Sequence, residues 1–204
     1  MARTPKSVED RREQIIDAAM QIFAEKGFAR ATNRDIAEKA GITTGLIYYY
    51  FKSKEDLLKA ALEERSPIQV MTQISPEMLE QPPEILLPLL IRRVLTIVEG
   101  EQFISIIRMV LPEMLHGSTE VAPLVLSFFQ RILGFLEQYL QTQIARGTLR
   151  ADLDPVTTAQ VMVGSIVGLV LRRQVMRDPN VLRYTHEDLI QAILDTVLRG
   201  IQAH

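Results

Sequence analysis

The chain has 204 residues, of which 47% are apolar and 24% are charged, a composition that fits a soluble globular protein and excludes a disordered or low-complexity chain. It contains no cysteine, which excludes a disulfide framework, a thiolate metal site and a thiol nucleophile. The formal net charge of −2, taken alone, argues against a nucleic-acid partner, because proteins that bind phosphate backbones usually carry a basic excess.

Neither export nor membrane insertion is indicated by the sequence. Residues 1–12 are polar and charged and lack an apolar signal-peptide core, so we expect a cytoplasmic protein. The most apolar stretch, Pro155 to Leu171, falls short of the ~20 residues needed to cross a bilayer, and Arg172 and Arg173 follow it. The pattern predicts a buried helix there.

Charge and proline divide the chain near Arg65. Residues 1–65 hold 12 basic and 11 acidic residues, whereas residues 66–204 hold 11 basic residues, all of them arginine, and 14 acidic ones. One proline precedes this point and nine follow it. Two regions of different chemistry are therefore predicted.

Apolar spacing and capping residues predict helices in the first region. Apolar residues recur at three- and four-residue steps from Ile15 to Phe23, which indicates an amphipathic helix from Ser7 to Lys26 that stops at Gly27. Three S/T-x-x-D capping boxes mark helix starts. They lie at Ser7–Asp10, Thr32–Asp35 and Ser53–Asp56.

The stretch from Thr32 to Phe51 has the pattern of a helix-turn-helix. It predicts a helix over Thr32–Ala40, a left-handed cap at Gly41 and a second helix over Thr44–Phe51. In such a motif the second helix enters the DNA major groove and its first residues meet the base edges. Those residues are Thr43, Thr44, Gly45 and Leu46. Hydroxyls can donate or accept there, and a leucine can meet a thymine methyl group.

Three consecutive tyrosines follow in the same helix. They cannot all be buried, because successive helical positions point about 100° apart. If Ile47 and Phe51 face inward, Tyr48 and Tyr49 face outward and Tyr50 lies near the edge. Phenolic hydroxyls suit phosphate oxygens. The alternative is that the tyrosines only shield a small helical core.

Basic residues around this helix suit the same phosphate contacts. They are Arg3, Lys6, Arg11 and Arg12 on the N-terminal arm, Arg34 at one helix start, and Lys52 and Lys54 at another. Their placement, and not the net charge, favours a DNA partner.

Three segments, Thr32–Ala37, Gly41–Thr43 and Leu46–Leu58, resemble the signature of the TetR/AcrR family of bacterial transcriptional regulators, within a match from about Glu9 to Leu62. The resemblance implies a three-helix DNA-binding domain over residues 1–53, with the helix-turn-helix at about 32–51. It also implies a ligand-binding and dimerisation domain over residues 54–204, and a homodimer on a palindromic operator. The DNA-binding residues that follow are Thr32, Arg34, Thr43, Thr44, Gly45, Leu46, Tyr48, Tyr49 and Lys54.

Beyond residue 53 the pattern predicts six further helices and no convincing strand, so the fold class is all-α with about nine helices. Glycines at 100, 117 and 147 separate several of them, and Asp154 followed by Pro155 is a typical helix start. The predicted helices are Lys54–Gln73, Pro83–Glu99, Glu101–His116, Thr119–Arg146, Pro155–Met176 and Thr185–Gln202.

The last two long helices predict a dimer interface. Pro155–Leu171 is apolar nearly all round, and two glycines four residues apart allow another helix to approach closely. The final helix carries an apolar stripe. The candidate interface residues are Gly164, Gly168, Leu171, Leu189, Ile193, Leu194 and Val197. The alternative is that these faces complete the core of one chain.

Large flexible and aromatic side chains indicate a cavity for a small, largely apolar effector, although most residues at this spacing simply pack a core. The candidate ligand residues are Phe103, Ile107, Arg108, Leu111, Met114, Phe128, Phe129, Met162 and Ser165. Met109, Phe135 and Tyr139 belong to the same apolar set, and Glu113 and His116 either orient a ligand or make interhelical contacts.

Catalysis is not expected. The three histidines are widely separated, and the sequence contains no phosphate-binding loop, nucleophile elbow or dinucleotide fingerprint, so no metal or cofactor is predicted. Two hypotheses remain open. The first is a ligand-responsive regulator, most simply a repressor, and the second is an architectural DNA-binding protein that recruits a partner and has no effector.

Overall fold

The computed structural model describes residues 7–201, and no β-strand occurs in that range. Twelve α-helices are present there, nine of them with seven or more residues, which confirms the predicted all-α fold of about nine helices. They are α1 Val8–Lys26, α2 Asn33–Ala40, α3 Thr44–Tyr50, α4 Lys54–Glu64, α5 Ile68–Thr72, α6 Pro76–Leu79, α7 Pro83–Val98, α8 Glu101–Leu115, α9 Val121–Ala145, α10 Pro155–Val170, α11 Pro179–Leu182 and α12 His186–Ile201.

Helix α1 begins and ends where the sequence predicts. The Ser7 hydroxyl accepts a hydrogen bond from the Asp10 N–H at 3.1 Å, and the Asp10 carboxylate accepts one from the Ser7 N–H at 3.1 Å. This pair is the predicted capping box. The apolar side chains from Ile15 to Phe23 that share one face are buried. The helix stops before Gly27, which has a φ of +79°.

The helix-turn-helix is formed by α2 and α3. A second complete capping box, between Thr32 and Asp35, starts α2. Gly41 ends it in the left-handed conformation, with φ 64° and ψ 39°, and the Ile42 N–H donates to the Ala37 carbonyl at 3.0 Å. This bond completes the tight turn that only a residue tolerant of positive φ makes without strain.

The start of α4 differs in one detail from the predicted box. Ser53 accepts from the Asp56 N–H at 3.2 Å, as expected, but the Asp56 carboxylate accepts from the N–H of Lys52 instead of Ser53. The cap therefore also fixes the residue that links α4 to the end of α3.

The helices form two compact units. Of the described residues, the first unit contains residues 7–65 together with Glu101–Leu126, and the second contains Ser66–Gly100 and residues 127–201. Helix α8 thus belongs to the unit of the helix-turn-helix, where it packs against α1. The domain boundary predicted between residues 53 and 54 stays a prediction.

In the second unit, α12 packs against α7, and its apolar stripe from Leu189 to Leu194 is buried.

Two buried polar side chains near the end of α9 make hydrogen bonds to the same backbone carbonyl. The phenol of Tyr139, whose pKa is raised mainly by burial, donates to the Gln81 carbonyl at 3.0 Å. Gln143, which is also buried, donates to the same carbonyl at 3.1 Å. These bonds fix the segment that precedes α7.

Two predicted helices are interrupted. The continuous helix predicted over Lys54–Gln73 is wrong, because α4 ends at Glu64 and α5 begins at Ile68. Pro67 lacks an N–H and disfavours helical geometry at the preceding residue. The helix predicted over Pro155–Met176 remains α-helical only to Val170. A π-helical segment, Leu171–Val175, follows it, and the Met176 N–H closes it on the Leu171 carbonyl at 2.9 Å.

The buried helix predicted over Pro155–Leu171 is buried on one side only within a single chain. One side of α10, with Ala159, Met162 and Val170, is buried. Val161 on the opposite side is 71% exposed, because the rest of the chain covers only one side of this helix.

Length and composition alone would allow one helical stretch of the described residues to span a membrane. It is Pro155–Val175, with 21 residues and a mean hydropathy of 1.3. Core and interface helices of water-soluble proteins pass the same test.

Candidate nucleic-acid interface

The first turn of α3 presents an open surface. Thr43 is the N-cap residue, yet its hydroxyl makes no capping hydrogen bond, and the residue is exposed. Gly45 is exposed as well, and a Cβ at this position would have no neighbouring heavy atom within 4 Å. Thr44 and Leu46 are half-buried. This turn can therefore approach another molecule with its backbone, two hydroxyls and one apolar side chain.

The tyrosines point as the helical geometry predicts. Ile47 is fully buried and Phe51 is 3% exposed, so both belong to the core of the first unit. Tyr48 is 58% exposed and Tyr49 is 78% exposed, which places both phenols at the surface. Tyr50 is half-buried and meets the ring of Tyr49 edge to face, with centroids 5.1 Å apart. Because two of the three rings are exposed, shielding of a core does not explain all three tyrosines.

The start of α2 is held by a small polar network. Arg34 is exposed there, whereas the Thr32 hydroxyl is used as a cap, since it donates to Asp35 at 2.8 Å and accepts from the Asp35 N–H at 3.1 Å. Lys26 donates to the same carboxylate at 2.7 Å. These hydrogen bonds, first that of Lys26 and then that of Thr32, hold the pKa of Asp35 below its usual value.

Lys54 has partners inside its own unit. Its ammonium group donates to the carbonyl oxygens of Phe28 at 3.0 Å and Ala29 at 3.3 Å, and it lies 4.9 Å from the centroid of the Phe28 ring. The side chain therefore fixes the turn that follows α1, in addition to the phosphate contact predicted for it. Lys52, two residues earlier, is exposed.

Of the four basic residues predicted on the N-terminal arm, the structure describes two, and both have partners within the chain. Arg3 and Lys6 lie outside the described residues. Arg12 pairs with Glu64 of α4, and its guanidinium lies 5.1 Å from the centroid of the Phe51 ring. Arg11 donates to Gln14 at 3.0 Å. Arg12 therefore links α1 to α4 and to Phe51, a structural role that its charge alone does not reveal.

The nine candidate ligand residues fall in both units. Phe103, Ile107, Arg108, Leu111 and Met114 lie on α8 in the first unit, whereas Phe128, Phe129, Met162 and Ser165 lie on α9 and α10 in the second. Arg108, Met114 and Ser165 are exposed, Met162 is buried, and the other five are half-buried. Of the wider apolar set, Met109 and Tyr139 are buried and Phe135 is half-buried.

Two further polar residues of α8 have partners within the chain. Glu113 accepts a hydrogen bond from the Phe28 N–H at 2.9 Å, which is the interhelical alternative for this side chain. His116 lies with its Nδ1 atom 2.7 Å from the Pro112 carbonyl oxygen. The sequence offers no local signal for the Glu113 bond, because its partner is 85 residues away.

The candidate dimer residues also divide by helix. Leu189, Ile193 and Leu194 of α12 are buried within one chain, which is the alternative that the sequence leaves open for them. Val197 is half-buried. On α10, a Cβ added at Gly164 or Gly168 would have no neighbouring heavy atom within 4 Å, and Leu171, just beyond the helix, is half-buried. The open face therefore belongs to α10.

Comparison with known proteins places the chain in a family. Residues 15–61 match the family of bacterial regulatory proteins, tetR family, and residues 110–189 match the tetracyclin repressor-like C-terminal domain. The HTH-type transcriptional regulator SrpR of Pseudomonas putida is 31% identical over 173 residues, which cover 83% of this chain and 78% of SrpR.

Solved structures agree over nearly the whole chain. FadR from Bacillus subtilis, in complex with stearoyl-CoA, is 27% identical, with a TM-score of 0.72 over 93% of this chain and 99% of FadR. SmeT, in complex with triclosan, is 26% identical, with a TM-score of 0.76 over 95% of this chain and 92% of SmeT. The chain therefore belongs to the TetR family of bacterial transcriptional regulators, whose members are DNA-binding proteins and not enzymes.

Proposed function

We propose that this protein is a homodimeric repressor that binds a palindromic operator through α3 and is released by a small, largely apolar effector. The open first turn of α3 is the observation that carries the proposal. The hydroxyl of its N-cap residue makes no capping hydrogen bond, and Gly45 leaves space beside the backbone. A helix that enters the major groove needs such a surface at its N-terminal end.

In this proposal Thr43, Thr44, Gly45 and Leu46 face the bases, and the exposed phenols of Tyr48 and Tyr49 face phosphates. Arg34 supplies a backbone or outer-base contact. Thr32 and Lys54 act mainly by holding the helices that present these groups, because their polar atoms already have partners. Contacts to phosphates set the register, and contacts to base edges set the sequence preference.

The second copy of the chain is proposed to cover α10. Thr157, Val161, Gly164, Gly168 and Leu171 are spaced by four, three, four and three residues, which places them along one side of a helix. The two glycines let a partner helix approach closely, and Val161 is an apolar side chain that a single chain leaves in water. A partner chain that covers this face also explains the high mean hydropathy of α10, so a membrane is not needed to explain it.

An apolar effector is proposed from the candidate residues on α8 and from the ligands of the relatives. FadR was solved with stearoyl-CoA and SmeT with triclosan, and both ligands contain large apolar groups. On α8, four of the candidate ligand residues are apolar or aromatic, and Arg108 on the same helix can make an orienting contact. The effector weakens DNA binding only if it binds the DNA-free conformation more tightly than the DNA-bound one.

Selection of DNA fragments by the purified full-length protein tests this function. We expect enrichment of a palindrome whose half-sites lie about 10 to 10.5 base pairs apart, or a multiple of that spacing. Failure to enrich any sequence would contradict the proposal. A thermal-shift screen of small molecules then separates the two hypotheses, because a hit that also releases DNA supports an effector-controlled repressor. Strong DNA binding without any such hit favours the architectural role.

A further inference from the structure

The turn after α1 is held from two sides by charged side chains of other helices. The Phe28 N–H donates to the Glu113 carboxylate of α8 at 2.9 Å, and the Phe28 carbonyl accepts from the Lys54 ammonium of α4 at 3.0 Å. The Phe28 ring is fully buried and lies 5.1 Å from the ring of Phe23, measured between centroids. We call these contacts of Gly27, Phe28, Lys54 and Glu113 the Phe28 junction.

The backbone on both sides of the junction is fixed by glycine turns. Gly27 has a φ of +79°, and a Cβ there would lie 3.4 Å from the Glu113 carboxylate oxygen, so the turn fits closely against α8. At the end of α8, Gly117 has a φ of +70°, and the Ser118 N–H donates to the Glu113 carbonyl at 2.9 Å. Both partners of the Phe28–Glu113 bond are therefore held in place by their own elements.

The hydrogen bond between Phe28 and Glu113 belongs to a strong class of hydrogen bonds. A carboxylate that accepts from a backbone N–H forms a charge-assisted hydrogen bond, which is shorter and stronger than a neutral one. The bond also joins two distant parts of the chain, since α8 begins 73 residues after Phe28. Together with the packing of α8 on α1, it places α8 in the same compact unit as the helix-turn-helix.

We propose that Glu113 is a positioning residue through which α8 sets the orientation of the helix-turn-helix. The inference rests on the proposed function and assigns its regulation to one contact. Five of the nine candidate ligand residues lie on α8, so a ligand that displaces this helix acts on the same element that holds Phe28. Loss of the bond frees the turn before α2 while α3 itself stays folded.

The test compares two DNA probes, the full palindrome selected by the parent protein and a single half-site. Glu113→Ala is expected to weaken binding to the full palindrome about tenfold, the scale of one charge-assisted hydrogen bond. Binding to the half-site should stay within about twofold, because it does not depend on how the two recognition helices are oriented relative to each other. Hydrogen exchange at the Phe28 amide should become faster in the same variant.

Two matched variants separate positioning from general destabilisation. Glu113→Gln keeps an oxygen that accepts from the Phe28 N–H, so it should restore most of the affinity for the full palindrome. Glu120→Ala removes an exposed carboxylate just beyond α8 and should behave as the parent. If Glu113→Ala does not yield a helical protein, Glu113→Asp, which keeps the charge on a shorter side chain, replaces it on the same two probes.

Equal binding of the full palindrome by parent and Glu113→Ala would overturn the inference. An equal loss on the full palindrome and on the half-site would also overturn it, because it would indicate damage to the helix-turn-helix itself. If the parent enriches no palindrome, the proposed function fails and this inference fails with it. The parent's own DNA binding therefore distinguishes the two kinds of failure.

Discussion

Lys52 and Lys54 lie two residues apart, yet their surroundings assign them different roles. Lys52 is exposed beside the end of α3, whereas Lys54 donates to two backbone carbonyls and lies over the Phe28 ring. Lys52→Ala should weaken binding to all DNA sequences and lower the slope of log affinity against log salt by about 0.9, the value of one phosphate contact. Its free energy of unfolding should match that of the parent.

Lys54→Ala should instead lower the free energy of unfolding by about 1 kcal/mol, because it leaves the Phe28 carbonyl without its charged donor. Urea denaturation followed by circular dichroism measures this difference. The assignment of the two roles would be wrong if Lys52→Ala were the less stable variant and Lys54→Ala were unchanged.

Asp35 makes the stability of the first unit depend on pH in the acidic range. Its pKa is held below the ordinary value of 3.8 by hydrogen bonds, chiefly that from Lys26 and then that from Thr32. A depressed pKa in the folded state stabilises the protein above the ordinary pKa, and this stabilisation is lost as pH falls through the depressed value.

Asp35→Asn should therefore lower stability at pH 7 and flatten the loss of stability that appears as pH falls below the ordinary pKa of 3.8. Thermal unfolding measured across this pH range tests the prediction. Glu38→Gln, on the exposed side of the same helix, serves as the control. A parallel pH profile for Asp35→Asn and the parent would contradict the role given to this cap.

At the scale of elements, α10 and α12 are both apolar, but only α10 leaves its apolar face open. Val161→Glu should convert the proposed dimer to monomers with little change in the stability of the single chain, because Val161 is 71% exposed in that chain. Light scattering and sedimentation measure the mass. Ala151→Glu, at an exposed turn of the same unit, should remain dimeric.

Ile193→Ala should behave differently, because this side chain is 6% exposed in the core of one chain. Removing its buried methylene and methyl groups should cost about 2 to 4 kcal/mol of unfolding free energy. A stable monomer from Ile193→Ala, together with an unchanged dimer from Val161→Glu, would reverse the roles assigned to the two helices.

Local sequence signals predicted the elements that depend on local physics. The capping boxes at Ser7 and Thr32 and the left-handed Gly41 appear as expected, because each is decided within about four residues. The outward orientation of the Tyr48 and Tyr49 side chains follows from helical geometry alone. Pro67 lies inside the helix predicted over Lys54–Gln73, and a local rule, the missing N–H of proline, explains why that helix is divided in two.

The features that the sequence did not predict depend on contacts between distant residues. The place of α8 beside α1 and the bond of Glu113 to Phe28 join segments with no shared local pattern. The burial of the α12 stripe depends on α7, and apolar periodicity does not distinguish a core from an interface. The π-helical segment at Leu171–Val175 has no distinctive composition either.

At the scale of the whole molecule, the chain is a TetR-family transcriptional regulator, and its net charge of −2 does not oppose DNA binding. DNA binding depends on the positions of a few side chains and not on the net charge. The first 65 residues carry 12 basic and 11 acidic residues, so the exposed turn of α3 and its tyrosines matter more than bulk charge. The acidic excess belongs to residues 66–204, which the proposal keeps away from the DNA.

The first turn of α3 is proposed to read the bases of the operator, and Thr44→Ala tests this role most directly. The measurement is the base preference at every position of the selected operator, compared between the parent and the variant. We predict a changed preference at one symmetry-related position in each half-site, with a loss of about 1 to 3 kcal/mol for the preferred base there and little change elsewhere. An unchanged preference at all positions would contradict the assignment of α3 as the recognition helix.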